Sequence, residues 1–445
     1  MTDPLINFVC ETRWQDIPDR VQHEARRSLL NGIATALSGC REPAIQIGLS
    51  VLQPFSGAGK CTVIGRTERV DMLLAAFLNA GGANIFDFDD THPQTIIHPT
   101  APIAPALFAF AQERGCSGQD LLRAFILGGE VQCRIGNAVS PSHYSRGWHI
   151  TSTCGVFGAT VAVGALLGLN PSQMNWALGN ASAQAGGLVE TLGTMSKSIG
   201  VGNAARNGIV SALLAAEGYS GPAEPLTGRS GFLPVFSDTP NVDALTNHLG
   251  QEWEIARNTY KPYPVGVVLN PVVDACLQLY REQGVRSDHV ARVELTGNSL
   301  LSLRANRPDI TTGRESQVSA QHAIAIALSR GRAGLPEFND DAVDETRRAG
   351  RPQVVFHSND QLGIESVDLV LTTHDEQQHR LQIRDAKGSG NNPMSDQDLQ
   401  DKLRALAEYG QFSGDTDSIA DAVWNLDKIA DAAQLVALLS KSEVD

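Results

Sequence analysis

Between two strongly apolar segments the chain reads NIFDFDDTHPQTIIHPT (84–100), which gathers Asp87, Asp89, Asp90, Thr91, His92 and His98 into one short stretch. Pro93 and Pro99 keep it out of regular helix. A polar loop held between hydrophobic helices is a usual place for a site. Neighbouring carboxylates raise one another's pKa and bring one of them toward a useful general base, a shift that a nearby imidazole opposes. The same residues would also serve as a solvated turn with one Asp capping the next helix, or as ligands for a divalent ion. Metal-dependent hydrolases usually add further His or Asp at strand ends. The sequence holds no second such cluster, so no metal is expected.

A second cluster, HYSRGWHITST (143–153), precedes an apolar helix. Ser152 or Thr153 is a natural N-cap there, and the positive helix end favours an anion beside His149. Taken alone, His149 is equally well a packed histidine. A third cluster, GTMSK (193–197), leads into IGVGNAARNGIVSALLAAEGYSGP. Gly200, Gly202 and Ala205 imitate a dinucleotide fingerprint, but no strand precedes them and no βαβ pattern surrounds them, so their role is close helix packing. Lys197 then either points at a site from the helix entrance or is a solvated charge. SGAGK (56–60) lacks the first glycine and the final Ser/Thr of a phosphate loop and reads as a surface turn.

Helical spacing dominates up to about Tyr260. Ile17, Val21, Ala25, Leu29 and Ile33 recur at near-helical spacing, and Gly39 marks a stop. Further helices are expected over 71–84, 101–114, 118–138, 151–168, 171–187 and 199–218, with one hairpin around Gly65 in KCTVIGRTERV. Their Ala and Gly content permits close helix–helix approach, so a compact bundle is expected. Beyond NTYKPYP (258–264), the β-branched runs HVARVELTG, PQVVFHS, ESVDLVLTTHD and HRLQIRDA interleave with helices at 271–284, 315–330 and 339–348. That pattern predicts an α+β domain with a small, mostly antiparallel sheet. KGSGNNP reads as a flexible linker, and Ser395 with Asp398 as a capping box opening a helix. The fold class is therefore mainly α with an α+β second domain. A helical domain is expected over 1–260, an α+β domain over 261–390, and a helical segment over 391–445 that returns to the first.

The 445 residues, 42% apolar and 19% charged, have the balance of a globular protein of two domains. A formal net charge of -14 repels phosphate backbones and anionic lipids, so neither nucleic acid nor a membrane surface is an expected partner. An acidic protein that takes an acidic small molecule must gather its cations in one pocket. The start shows no basic stretch followed by an apolar run, so no signal peptide is expected, and runs such as TVAVGALLGL are too short to span a bilayer. The seven cysteines lie singly without a C-x-x-C pair. They are expected to be small buried hydrophobes in a reducing cytoplasm.

Taken in order, FDFDDTHPQTIIHPTAPIAPAL, GWHITSTCGVFGA, GTMSKSIGVGNAARNGIVSALLAAEGYSGP, KPYP and GSGNNPMSDQDLQDKLR resemble the MmgE/PrpD family, which includes 2-methylcitrate dehydratases, cis-aconitate decarboxylases and iminodisuccinate epimerase. The resemblance implies a helical domain built from both chain ends, an inserted α+β lid, a homodimer and no cofactor. It also implies proton abstraction beside a carboxylate of a small polycarboxylate. By position, Asp87, Thr91 and His98 match the family's first active-site stretch, His149 and Lys197 its next two, and Lys261 a lysine at the start of the lid. The implied catalytic residues are Asp87, His98, His149 and Lys197; Thr91 and Lys261 are implied substrate-binding residues, to which Tyr144 and His322 are added as candidates of this chain's own. Asp87 or a histidine would be the base. The chain departs from the family pattern after KPYP, where Val265-Gly266-Val267-Val268-Leu269-Asn270 stands in place of a Cys or His followed by a second His. It departs again at Ser319-Ala320-Gln321-His322, where decarboxylase-like members carry an aromatic hydroxyl. His322 would then replace a proton donor or be a helix-surface residue. The expected reaction is a dehydration or decarboxylation. An epimerase on the same scaffold, or a polycarboxylate-binding protein without turnover, are the alternatives.

Overall fold

A computed structural model describes residues 3–440. The chain forms two compact units. One comprises the residues up to Asn258 together with those from Asp396 on; the other is the intervening Thr259–Ser395. Of the expected C-terminal segment, 441–445 lie outside the described residues, as do the first two residues of the stretch read for a signal peptide. Among the described residues no helix is long and apolar enough to cross a membrane.

The first unit is helical because its apolar residues recur on one face or all round. In α1 (Asp19–Gly39), Val21, Ala25, Leu29 and Ile33 are fully buried. Around it stand α2 (Met72–Asn84), α3 (Thr100–Arg114), α4 (Gly118–Val139), α5 (Ile150–Leu166), α6 (Pro171–Ser182) and α7 (Ser196–Ala216). Every residue of α5 from Ile150 to Ala165 is buried, as expected for a helix surrounded by others. It packs against α4 and α7. The small residues permit this: a Cβ added at Gly128 would sit 2.6 Å from the Gly158 carbonyl oxygen, and one at Gly208 would sit 2.4 Å from Ala159 Cβ. The hairpin around Gly65 pairs Cys61 with Val70 and Thr62 with Arg69.

Several helix boundaries differ from the expected ones, among them the start of α7 at Ser196 instead of 199. α6 ends at Ser182, ahead of a loop in which Gly187 has φ of +131°. α5 begins at Ile150 with His149, not Ser152 or Thr153, at the N-cap, and the amides of Ser152 and Thr153 both donate to the His149 carbonyl.

In the second unit, α8 (Asn270–Glu282) and α9 (Ala320–Arg330) share an apolar core with the sheet. The strands are β1 (Val290–Gly297), β2 (Gln353–Ser358), β3 (Val367–Thr373) and β4 (Gln378–Ile383), in the order β2-β1-β3-β4. β1–β3 and β3–β4 are antiparallel, and β2 lies parallel to β1 because helices separate them in the chain. KGSGNNP is a packed turn and not a flexible linker: Ser389 is buried, the Lys387 amide donates to Asp274 Oδ2 at 2.6 Å, and the Gly388 amide donates to the Asn392 carbonyl. Gly388 is required there, since its φ is +84° and a Cβ would lie 2.5 Å from the Tyr260 carbonyl oxygen.

α10 (Asp396–Tyr409) returns the chain to the first unit and packs on α1. It buries Leu399, Lys402, Leu403 and Leu406 on one face.

Candidate active site

The loop after α2 is held from below. His92, fully buried, meets Thr95 Oγ1 at 2.8 Å through Nδ1 and Glu254 Oε2 at 2.9 Å through Nε2. The Glu254 amide donates to Glu130 Oε2, and Arg134 donates to Glu130 Oε1 at 2.7 Å. Burial pushes Glu130 up to about 7. From the other side α10 brings Lys402, whose Nζ donates to the Phe88 carbonyl at 2.7 Å and stands 3.8 Å from the centre of the Phe88 ring. Between these supports the chain turns sharply at Asp87, whose φ is +55°.

That turn aims Asp87 at a lysine and a histidine. Lys197, on the first turn of α7, donates to Asp87 Oδ1 at 2.7 Å and to the Asn84 carbonyl at 3.1 Å. Its side chain is 3% exposed, so it is not a solvated charge. His98 Nε2 lies 3.4 Å from the same Asp87 oxygen. His98 Nδ1 donates to the Asp90 carbonyl at 2.7 Å; a carbonyl only accepts, so this nitrogen carries hydrogen. Asp89 Oδ1 lies 3.2 Å from Nδ1, and Thr91 Oγ1 lies 3.5 Å from it. Because the N–H points at the Asp90 carbonyl, Asp89 Oδ1 lies beside the ring without being an aligned acceptor.

Behind the loop, Asp89 Oδ2 accepts from Asn84 Nδ2 at 2.6 Å, and Asp90 Oδ2 accepts from Thr100 Oγ1 and Asn258 Nδ2. Burial, and after it the neighbouring Asp89, pushes Asp90 up to about 6.

His149 closes the arrangement from the head of α5. The next residue but one, Thr151, accepts from the His98 amide at 3.1 Å. His149 Nδ1 is 2.7 Å from Ser152 Oγ, and among the described residues Nε2 has no hydrogen-bond partner. Burial, then the Lys197 ammonium and His98, pushes His149 down to about 3, so it is a neutral imidazole near neutral pH. Gly200 of α7 leaves Ser152 its room: a Cβ there would stand 2.5 Å from the hydroxyl.

The first unit therefore brings Asp87, Thr91, His98, His149 and Lys197 into one neighbourhood. Tyr144 is half-buried in the short helix Ser142–Ser145 of the same unit. Lys261 and His322 belong to the second unit. Lys261 is half-buried in its KPYP turn. His322 is fully buried on α9, which corrects the helix-surface reading. Its Nδ1 meets Thr346 Oγ1 at 3.0 Å and its Nε2 the Glu337 carbonyl at 2.8 Å, while burial pushes it down to about 4. With both nitrogens taken by protein groups it has no nitrogen left for a ligand, and we drop it from the substrate-binding set.

Asp87, Asp89 and His98 also carry donor atoms within 4.8 Å of one another, the spacing of a metal site. A divalent ion placed there would meet the Lys197 ammonium already seated on Asp87. The donor set fits an acid–base cluster with its own cation better than a metal centre.

Asn84 and Lys402 were not singled out from the sequence, while Asp89 and Asp90 were read only as members of the first cluster and Ser152 only as an N-cap. For Lys402 a signal exists, since a lysine between Leu399, Leu403 and Leu406 lies on the buried stripe of an amphipathic helix.

The family model of the MmgE/PrpD N-terminal domain matches residues 3–245, and that of the MmgE/PrpD C-terminal domain matches residues 263–428. The chain belongs to the MmgE/PrpD family. It is 30% identical to the cis-aconitate decarboxylase-like protein oryM of Aspergillus oryzae over 472 residues, covering 99% of this chain and 97% of that one. It is 28% identical to the cis-aconitate decarboxylase of Aspergillus terreus (99% and 96% covered) and 28% identical to that of Homo sapiens (95% and 91% covered). At the level of the family this supports a lyase-type enzyme, of dehydratase or decarboxylase kind, acting on carboxylic acids.

Proposed function

We propose that this chain is a cofactor-independent lyase, a dehydratase or decarboxylase, that removes a proton beside a carboxylate of a small di- or tricarboxylic acid. The observation that carries the reading is the Lys197–Asp87–His98 cluster, a buried cation joined to an acid–base pair in a protein of net charge -14. The Lys197 ammonium supplies the fixed positive charge that a substrate carboxylate needs. Neutral His149 offers a hydrogen bond to the charge that develops on that carboxylate, without adding a second full cation. Asp87 or His98 takes the proton, and the other returns one. In dehydration the C–H electron pair becomes the new double bond, and hydroxide leaves as water with the returned proton. In decarboxylation no net C–H bond is lost: departing carbon dioxide leaves its C–C electron pair on the substrate, and one proton from the protonated member of the pair is taken up in its place. The homodimer implied by the resemblance and the cytoplasmic location expected from the singly placed cysteines belong to the same proposal.

The test is incubation of the protein in deuterated water with a panel of small di- and tricarboxylates, cis-aconitate among them. A lyase consumes one member and gives an alkene product or carbon dioxide, with deuterium beside a carboxylate. Label without any new alkene identifies an epimerase instead. Tight binding with neither exchange nor turnover identifies a binding protein and overturns the proposal.

A further inference from the structure

Asp89 takes no part in the mechanism above, yet it is the more deeply placed of the two carboxylates around His98. It is fully buried, whereas Asp87 is 43% exposed. A carboxylate withdrawn from water is costly unless hydrogen bonds and an opposite charge compensate it. Asn84 Nδ2 holds Oδ2 at 2.6 Å. Among the described residues, His98 is the one cation-forming side chain within ion-pair distance of Asp89, at 3.2 Å. The His98 ring is fixed by its bond to the Asp90 carbonyl, which turns Nε2 toward Asp87. Each ring nitrogen therefore faces an acceptor oxygen, a shell that accommodates two ring hydrogens. The charged and titratable groups around this ring in the first unit are Asp87, Asp89 and Asp90 from the loop, His149 from α5 and Lys197 from α7.

We propose that Asp89 is a positioning residue that fixes His98 as the proton carrier of the site, its buried negative charge balancing the ring whenever both nitrogens carry hydrogen. The step is a proton transfer only. The bond from Nε2 to hydrogen breaks, the ring keeps that electron pair as a lone pair, and the hydrogen bonds to the departing hydroxide or to the carbon that has lost carbon dioxide. In dehydration the proton that Asp87 took from the substrate is then free to restore the ring, whose positive charge Asp89 again faces. Asn84 couples this arrangement to Lys197, since its side chain holds Asp89 while its carbonyl holds the ammonium.

The inference rests on the proton-transfer chemistry proposed above, with His98 as the member that returns the proton, but its decisive readout needs no substrate. Nitrogen-15 spectra of protein labelled at histidine, with His98 assigned by its loss in His98→Gln, report whether each ring nitrogen bears hydrogen. In the wild type both His98 nitrogens should be protonated near neutral pH. In Asp89→Asn one should revert to a lone pair, while kcat falls about a hundredfold with KM little changed. Wild-type nitrogens that already include a lone pair, unchanged in Asp89→Asn, would overturn the proposal, as would an unaltered kcat. If Asp89→Asn fails to fold, Asn84→Ala releases Asp89 Oδ2 without touching the Lys197 contact, and the same spectra decide. Should no carboxylate be turned over by the wild type, the functional reading falls, whereas the Asp89–His98 pairing is still judged from the spectra.

Discussion

Asp87→Asn separates the charge of residue 87 from its shape. The residue adopts φ of +55°, a region that Asn tolerates as well as Asp, whereas Ala would add about 1–2 kcal/mol of backbone strain. Asn cannot balance the Lys197 ammonium, which lies 2.7 Å from Asp87 Oδ1 and is 3% exposed. The lysine keeps the Asn84 carbonyl at 3.1 Å, so the variant should fold, with a loss of about 1–3 kcal/mol for a weakened charge-assisted hydrogen bond. Because Asp87 is 43% exposed, solvent screening puts the cost in the lower part of that range. The catalytic loss is larger. A missing acid or base lowers turnover about a hundredfold or more, equivalent to about 2.7 kcal/mol in barrier height. Thermal unfolding reads the first effect, and steady-state kinetics on a carboxylate that the wild type consumes reads the second. A folded Asp87→Asn that turns over at nearly the wild-type rate would refute the reasoning.

Gly200→Ala pushes a methyl group against Ser152 Oγ and so disturbs the 2.7 Å contact to His149 Nδ1. A loss of about 1 kcal/mol, roughly fivefold in kcat/KM, is expected with the fold kept, and unchanged kinetics would show that Ser152 does not orient His149. Asp90 is pushed up to about 6, above the unfolded carboxylate, so its contribution to stability is complete below the unfolded value and is lost as pH rises through about 6. Asp90→Asn escapes that loss, so between about pH 4.5 and about pH 7.5 the melting temperatures should shift in favour of the variant; a constant gap contradicts a raised Asp90. Lys402→Met removes the donor to the Phe88 carbonyl and should lower both melting temperature and kcat, the latter about tenfold. If only stability changes, α10 supports the bundle without positioning the loop. Exhaustive chelation should leave turnover intact, and activity restored only by an added divalent ion would transfer Asp87, Asp89 and His98 to a metal site.

The helices were legible because their apolar residues repeat without interruption: Ile17, Val21, Ala25, Leu29 and Ile33 all lie in the core. The α+β character of the second unit was legible from alternation, as in VDLVLTT, whose burial alternates strictly along β3. The parallel β1–β2 pair was not, since periodicity says nothing about strand direction. KGSGNNP misled because glycine and asparagine mark both mobile linkers and tight turns, and only packing under Tyr260 distinguishes the two. At the site, the clustering of Asp87 and His98 was visible in one segment. The partners of each were not, because Lys197 and Lys402 arrive from positions 110 and 314 residues away from Asp87 and Phe88. His322 showed the converse failure. A histidine spacing alone does not tell a ligand group from one whose two nitrogens are satisfied in the core.

The most direct measurement is a crystal structure of Asp87→Asn soaked with a tricarboxylate that the wild type consumes, so that the ligand is trapped before reaction. One carboxylate should lie within hydrogen-bonding distance of Lys197 Nζ, with a hydrogen-bearing carbon beside residue 87 and His98. A ligand seated elsewhere, with Lys197 still turned to residue 87 and no carboxylate near it, would contradict the proposed anion-holding cluster.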